Sequence, residues 1–423
     1  MTRIALLSSE PVRERMAGIG IRYLELARRL PRPGVDVVLI SPAPAADVPP
    51  VPGEVRTFDP ARVRELLADC DAAVAQGQLA NDLVLACPEL PTAIDLYDPW
   101  LVENAHYLPT LGLDPWRNDH ATWVLQLSRG DLFLCASEEQ RHYYAGFLTA
   151  LGRVNPERLH SDPDLTRLLV EVPFGVPAEL PPHAPLLPAR RGQSENDNRK
   201  RILFGGLYDW YDPFTLLAAL ERLPELDWEL YFVRNPNAEV TPQSLLGQVE
   251  ARCRARGWWG ERVRTLDWVP AERRFDLLRD VDLLCSPHHP SLETRLSLRT
   301  RFLDALAAGC PVVVTEGGAV ARLVREQEAG WVVPAADAAA LAATLVTALG
   351  DEGERERRRA AGRGLASRFA WERVLAPLVA FCERPWRDST RDRFAFKPDT
   401  VAPADPLGFR LRRRLKRARA GEG

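Results

Sequence analysis

Residues 293–315, ETRLSLRTRFLDALAAGCPVVVT, decide the fold and point to the chemistry. Phe302, Leu303, Leu306 and Ala307 recur at helical spacing, Gly309 stands where a helix must stop, and Pro311-Val-Val-Val-Thr315 reads as a buried parallel strand. That order predicts a helix opening at the mouth of an α/β sheet, with Arg295, Arg299, Arg301 and Asp304 gathered there. A guanidinium fork matches two phosphate oxygens, and a carboxylate is the usual partner of a ribose diol. The combination suggests a nucleoside diphosphate; the alternative is an ordinary solvated helix entrance with scattered arginines.

Outward from this stretch, strand-like runs alternate with amphipathic helices twice over. The first series is Arg3–Ser9, Val35–Ile40, Ala72–Ala75, Thr92–Leu96 and Asp131–Ala136, with a helix over Ile21–Leu30. A Pro-rich and then polar stretch interrupts it, after which Arg201–Gly206, Glu229–Val233, Val263–Trp268, Val281–Cys285, Val312–Val314 and Gly330–Val333 form a second series. The rhythm predicts an α/β chain of two Rossmann-like domains facing each other across a cleft. Residues 1–180 form the first and 201–370 the second, joined by a linker at 181–200. A helical segment follows at 371–390, and then a basic, weakly ordered tail at 391–423.

The 423 residues suffice for two or three separately cored domains. No apolar run reaches the roughly 18 residues of a membrane span, and the N-terminus turns polar after one strand length, so a span or secretory signal is not expected. Seven cysteines without a CxxC pair fit buried thiols in a reducing compartment. These features predict a cytoplasmic protein. Lysine occurs only at 200, 397 and 416, which leaves phosphate contacts to arginine. Residues 410–423 hold seven cations and one Glu, a tail of +6 on a body of −9 given the net charge of −3. Phe409–Arg419 could rest on the anionic inner face of a membrane or be a solvated tail. The acidic body and the lack of an aromatic stacking motif argue against nucleic acid.

Asp304-Ala-Leu-Ala-Ala-Gly-Cys-Pro-Val-Val resembles the second half of the nucleotide-sugar motif of family 4 retaining glycosyltransferases. Gly205–Pro213, Glu293–Arg301, Asp95–Pro99, Ala136–Tyr144 and Val172–Pro177 resemble a bacterial subgroup that builds surface polysaccharides or decorates secondary metabolites. The resemblance covers nearly the whole chain and implies the GT-B plan. In that plan the second domain holds a nucleotide sugar, the first holds a glycan, lipid-linked or small-molecule acceptor, and a final helix crosses back.

Carried over residue by residue, the resemblance implies donor contacts from Gly18, Gly20, Gly206, Trp268, Val269, Arg295, Ser297, Asp304, Gly317 and Gly318. Catalytic roles fall to Arg299, Arg301 and Glu293. The cation-bearing positions of many relatives fall on Leu207 and Asp212, and their first glutamate on Leu296. Arg295, Arg299 and Arg301 would replace the lost charge, with Glu293 taking over contact with sugar hydroxyls. Tyr208, Asp209, Trp210 and Asp212 would touch the sugar or position the acceptor. His106 and His120 would lie on the acceptor side, and His288 and His289 near the nucleotide.

No metal or other cofactor is expected, since no Asp-x-Asp motif ends a strand of the second half. The implied reaction is hexosyl transfer with retention. The alternative is a chemically altered pseudo-enzyme or scaffold subunit. A dehydrogenase is disfavoured because Gly18-Ile-Gly20 lacks the third glycine of a dinucleotide fingerprint.

Overall fold

The computed structural model describes residues 1–188, 199–234 and 244–394, with only the backbone at Thr110 and Ser244. The first series of strands comprises β1 (Thr2–Leu7), β2 (Val35–Ser41), β3 (Glu54–Thr57), β4 (Ala72–Ala75), β5 (Thr92–Asp95), β6 (Leu132–Cys135) and β7 (Leu169–Glu171). They pair in the order β3-β2-β1-β4-β5-β6-β7. The second comprises β8 (Lys200–Gly205), β9 (Trp228–Val233), β10 (Val263–Leu266), β11 (Leu283–Ser286), β12 (Val312–Thr315) and β13 (Gly330–Val333), ordered β10-β9-β8-β11-β12-β13. Every pairing in both sheets is parallel. The two-sheet α/β expectation holds.

The central strands are buried on both faces: Ile4, Ala5 and Leu6, for instance, are fully covered, as are Val312 and Leu283. Such strands must be apolar throughout, which is why they stand out in the sequence. Two strands were not legible there. β3 and β7 are sheet edges of four and three residues with polar members, Glu54, Arg56 and Glu171. An edge strand needs neither length nor continuous hydrophobicity. β10 also ends at Leu266, two residues short of Trp268.

In each sheet the strand order reverses beside its first strand, between β1 and β4 and between β8 and β11. A crevice opens at the carboxyl ends of the strands at such a reversal. The helix Gly18–Arg29 is fixed there by a buried pair: Arg22 Nε lies 2.7 Å from Asp95 Oδ2, and its Nη2 donates to the Val172 carbonyl at 2.8 Å.

Beyond Pro181, the chain runs along the second domain, where Asp280 accepts from the Leu186 and Leu187 amides. After Phe369 it rejoins the first domain. Val176 and Ala370 form a parallel bridge, and Trp371, fully buried, lies 5.1 Å from Phe174. Asp388 is ion-paired with Arg153 at 2.8 Å, and Arg391 with Asp131 at 2.9 Å. The tail from 395 on, with the basic stretch 409–419, and linker residues 189–198 lie outside the described residues.

Candidate active site

A cavity of about 590 Å³ lies between the two reversal points. From the first domain come Glu10 after β1, Gly18 at the helix start, Gln76–Gln78 after β4, and Asp98 to Tyr107 after β5. From the second come Tyr208, Trp210 and Tyr211 after β8, Trp268 and Val269 after β10, and Ser297–Arg301 with Asp304.

The arginine loop is built on the short helix Leu292–Leu296, whose Ser291 cap accepts from the Thr294 amide at 3.1 Å. Glu293 is completely buried beneath it. Arg299 approaches Glu293 with both terminal nitrogens, Nη2 at 2.7 Å, while Ser297 Oγ donates to the same carboxylate at 2.7 Å. The Arg299 guanidinium also lies over the Tyr211 ring at 5.5 Å. Glu293 therefore neutralises Arg299, and the pair is internally satisfied. This departs from the expectation that Glu293 meets sugar hydroxyls and Arg299 offers a free positive charge.

Arg301 is different. It makes no ion pair among the described residues and lies over Trp268 at 5.5 Å. Its guanidinium occupies space that glycine leaves open: a Cβ on Gly205, where φ is +97°, would fall 1.8 Å from Nη1, and one on Gly206 would be 3.7 Å away. Arg295 stands exposed, outside the cavity lining; its backbone packs against Gly318.

Asp304 is buried one turn into the helix Thr300–Ala308, 3.1 Å from Arg274 Nε, with Oδ1 lacking a hydrogen-bond partner among the described residues. Burial raises its pKa, against the pull of Arg274 and Arg301. Trp268 donates from Nε1 to the Met16 carbonyl across the cleft at 2.9 Å. Gly18 approaches Thr300, where a Cβ would meet Cγ2 at 3.2 Å, whereas Gly20 packs on Met16 and does not line the cavity. Gly317 lines a smaller recess of about 40 Å³ that shares Tyr211, Ser297, Arg299 and Arg301 with the main cavity. The helix Gly318–Gln327 begins at this recess. Gly318 itself, at φ +71°, is pressed against the Thr294 and Arg295 carbonyls.

Leu207 is buried, and Asp212 caps the helix Pro213–Leu220 by accepting from the Thr215 amide at 2.9 Å, so neither offers a charge to phosphate. Tyr208 and Trp210 stack at 5.0 Å, and Trp210 reaches across to Tyr107 at 6.0 Å and His106 at 6.1 Å. Burial lowers the His106 pKa. His288 is buried in the smaller recess and held neutral by burial and by Arg299. His120 is exposed and stacks on Trp116 away from the cavity; His289 stands half-exposed, 3.9 Å from Asp212.

Several site residues had no signal in the chain. Arg274 sits in an ordinary amphipathic turn, and Glu10 and Glu103 have no motif around them. Asp98 lay within Asp95–Pro99 without a role of its own. Burial pushes the Glu10 and Asp98 carboxyls up to about 7, and burial beside Asp98 and Glu293 holds Glu103 well above the ordinary glutamate value. Tyr97 Oη donates to the Leu298 carbonyl at 2.6 Å, tying the two walls together.

Residues 199–351 match the family described as "Glycosyl transferases group 1". The chain is 32% identical to a phosphatidyl-myo-inositol mannosyltransferase of Mycobacterium leprae over 51% of its own length and 53% of the relative's. The chain thus spans about half the length of that relative. It is 28% identical to a D-inositol 3-phosphate glycosyltransferase of Xylanimonas cellulosilytica over 89% of its length and 95% of the relative's. Among solved structures it is similar to sucrose-phosphate synthase from Thermosynechococcus elongatus, with a TM-score of 0.66 at 16% identity over 90% of this chain and 98% of that one. It is also similar to Anabaena HepE in complex with UDP and glucose, with a TM-score of 0.64 at 17% identity over 90% and 99%. The likeness identifies the fold as GT-B.

Proposed function

The chain is of the family 4 type of GT-B glycosyltransferase, its group 1 domain lying over residues 199–351, and from that premise we propose that it transfers a hexosyl group from a nucleoside diphosphate sugar to an acceptor with retention of configuration. One observation carries the reading. The interdomain cavity brings onto one wall the Arg301 guanidinium, which has no ion-pair partner among the described residues, and the buried Asp304 carboxylate, whose Oδ1 has no hydrogen-bond partner among them. Arg301 would meet the diphosphate, Asp304 the ribose, and Trp268 with Val269 the base. The complex of HepE with UDP and glucose supports a donor of this class.

In the reaction, an acceptor hydroxyl oxygen bonds to the anomeric carbon as the sugar–phosphate bond breaks, and its proton passes to the departing phosphate oxygen. Arg301 and the amides opening the helix at Gly318 would stabilise the charge that develops on the diphosphate. Arg299, already paired, would contribute as a rigid wall with Glu293. Charge neutralisation of this kind makes a divalent cation unnecessary, so turnover is expected to persist in EDTA. The acceptor is a glycan, a lipid-linked sugar or a small molecule, presented inside the cell or at the inner face of its membrane.

The test is release of nucleoside diphosphate from UDP-, GDP- and dTDP-sugars with and without such acceptors. Asp304→Ala should weaken nucleoside diphosphate binding by roughly 1.5–3 kcal/mol in a calorimetric titration. Leu207 and Asp212, standing where relatives place cations, favour a second reading, a subunit that binds without turnover. Nucleotide binding with no release of diphosphate from any donor would establish that instead.

A further inference from the structure

The first domain's wall of the cavity is acidic in a way that donor binding does not use. Every charged side chain it contributes is a carboxylate: Glu10, Asp98, Glu103 and Asp119. Asp119 is held by Asn104 Nδ2 at 2.8 Å, and Glu10 Oε2 has no hydrogen-bond partner among the described residues. Asp98 and Glu103 have no hydrogen-bond or ion-pair partner among the described residues. The nearest cations are committed elsewhere, Arg22 to Asp95 and Arg299 to Glu293. Burial and mutual repulsion raise the pKa of both carboxyls, the sign of a wall lacking its counter-charge.

An independent observation lies on the facing wall. Trp210 is 7% exposed and lines this cavity, and its indole Nε1–H has no acceptor among the described residues. Its ring lies 6.0 Å from that of Tyr107, one helical turn beyond Glu103. A buried indole N–H requires an acceptor oxygen, and aromatic faces suit the apolar face of a ring or an ammonium group. The four carboxylates do not converge as metal ligands. The complementary molecule is an oxygen-rich ring bearing an organic cation.

We propose that the acceptor is a sugar or cyclitol bearing a protonated amine, with Asp98 and Glu103 holding the ammonium and Trp210 donating to one of its oxygens. This rests on the glycosyltransferase reading, in which the first domain receives the acceptor. A protonated amine has no lone pair to attack with, so a hydroxyl of the same molecule is the nucleophile.

The test is a calorimetric titration of the full chain at pH 7 with methyl glucosides carrying an amino group at C2, C3 or C6, beside the parent methyl glucoside. At least one amino glucoside should bind tenfold or more tightly than the parent. Asp98→Asn and Glu103→Gln should each reduce that preference below threefold, while Trp210→Phe should weaken charged and neutral sugars alike. The idea is overturned if no amino glucoside binds saturably, if the parent binds as well as all of them, or if the preference survives both carboxylate substitutions. A parallel titration with nucleoside diphosphate verifies that each variant is folded and reads the donor wall separately. Failure of the unsubstituted chain to bind nucleoside diphosphate would sink the donor reading, whereas lost amine preference with nucleotide binding intact sinks this inference alone.

Discussion

At the scale of single residues, pairing decides which arginine can act. Arg299 and Glu293 satisfy one another in a buried site, and Arg301, laid over Trp268 and the glycine pair, keeps its charge for a ligand. Arg301→Ala should therefore lower turnover on the order of a hundredfold, the effect of deleting one donor to a developing oxyanion. Arg299→Ala should act differently, destabilising the fold because it leaves the buried Glu293 charge without its counter-charge. Steady-state kinetics beside thermal unfolding separate the two outcomes, and turnover unchanged in Arg301→Ala would remove that residue from the chemistry. Glu10 supplies a pH signature. Its carboxyl is raised to about 7 in the folded chain, so the folded state binds this proton more tightly than the unfolded one. The stability it contributes is complete below the ordinary glutamate pKa and is lost as pH rises through about 7. Glu10→Gln should match the parent below pH 4.5 and exceed it at pH 8 by on the order of 1–3 kcal/mol, read from denaturant unfolding across that range.

At the scale of elements, the short helix Trp371–Val374 docks on the first domain through one large side chain. Trp371 is fully buried against Phe174, and the fit depends on glycine opposite: a Cβ on Gly175 would lie 2.3 Å from Trp371 Cδ2. Gly175→Ala should overpack this junction and cost about 1–3 kcal/mol. Trp371→Ala should cost about 3–5 kcal/mol by leaving a cavity. Both changes should show in thermal unfolding while leaving nucleoside diphosphate affinity near the parent's, since the junction lies outside the donor wall. Loss of nucleotide binding in folded Gly175→Ala would instead tie this return segment to the cleft.

At the scale of the whole molecule, the cleft forms where the two domains meet at their strand reversals, and specific polar contacts cross between them there. Tyr97 donates to the Leu298 carbonyl, Trp268 to the Met16 carbonyl, and Arg322 pairs with Glu139 at 2.8 Å. The first is buried and lies beside the arginine loop, so its loss should favour an open cleft. Tyr97→Phe removes a hydrogen bond with a net contribution of about 0.5–1.5 kcal/mol, and donor affinity should fall by up to roughly two- to twelvefold by the usual conversion of 1.4 kcal/mol per decade. Small-angle scattering should show a larger radius of gyration without donor. An unchanged radius and affinity would mean that this bond does not hold the cleft closed.

Central strands and their helices were legible in the chain because burial on both faces demands uninterrupted apolar runs, and Gly309 ends its helix at φ +70° as its position suggested. The mouth of the second sheet was legible for the same reason: a helix following a core strand can begin only at the sheet's edge, which put Arg301 and Asp304 at the cleft. The pairing of charges was not legible. Glu293 is six residues from Arg299, a spacing equally compatible with two free side chains, and only the turn between two short helices folds one onto the other. Nor could sequence distance bring Glu10, Asp98 and Glu103 together, or set Trp210 opposite them. The sequence by itself determined the two sheets and the helix mouth, because hydrophobic periodicity is local. Tertiary structure alone decided which arginine keeps its charge and which wall is acidic, because electrostatic partners are chosen by distance in space.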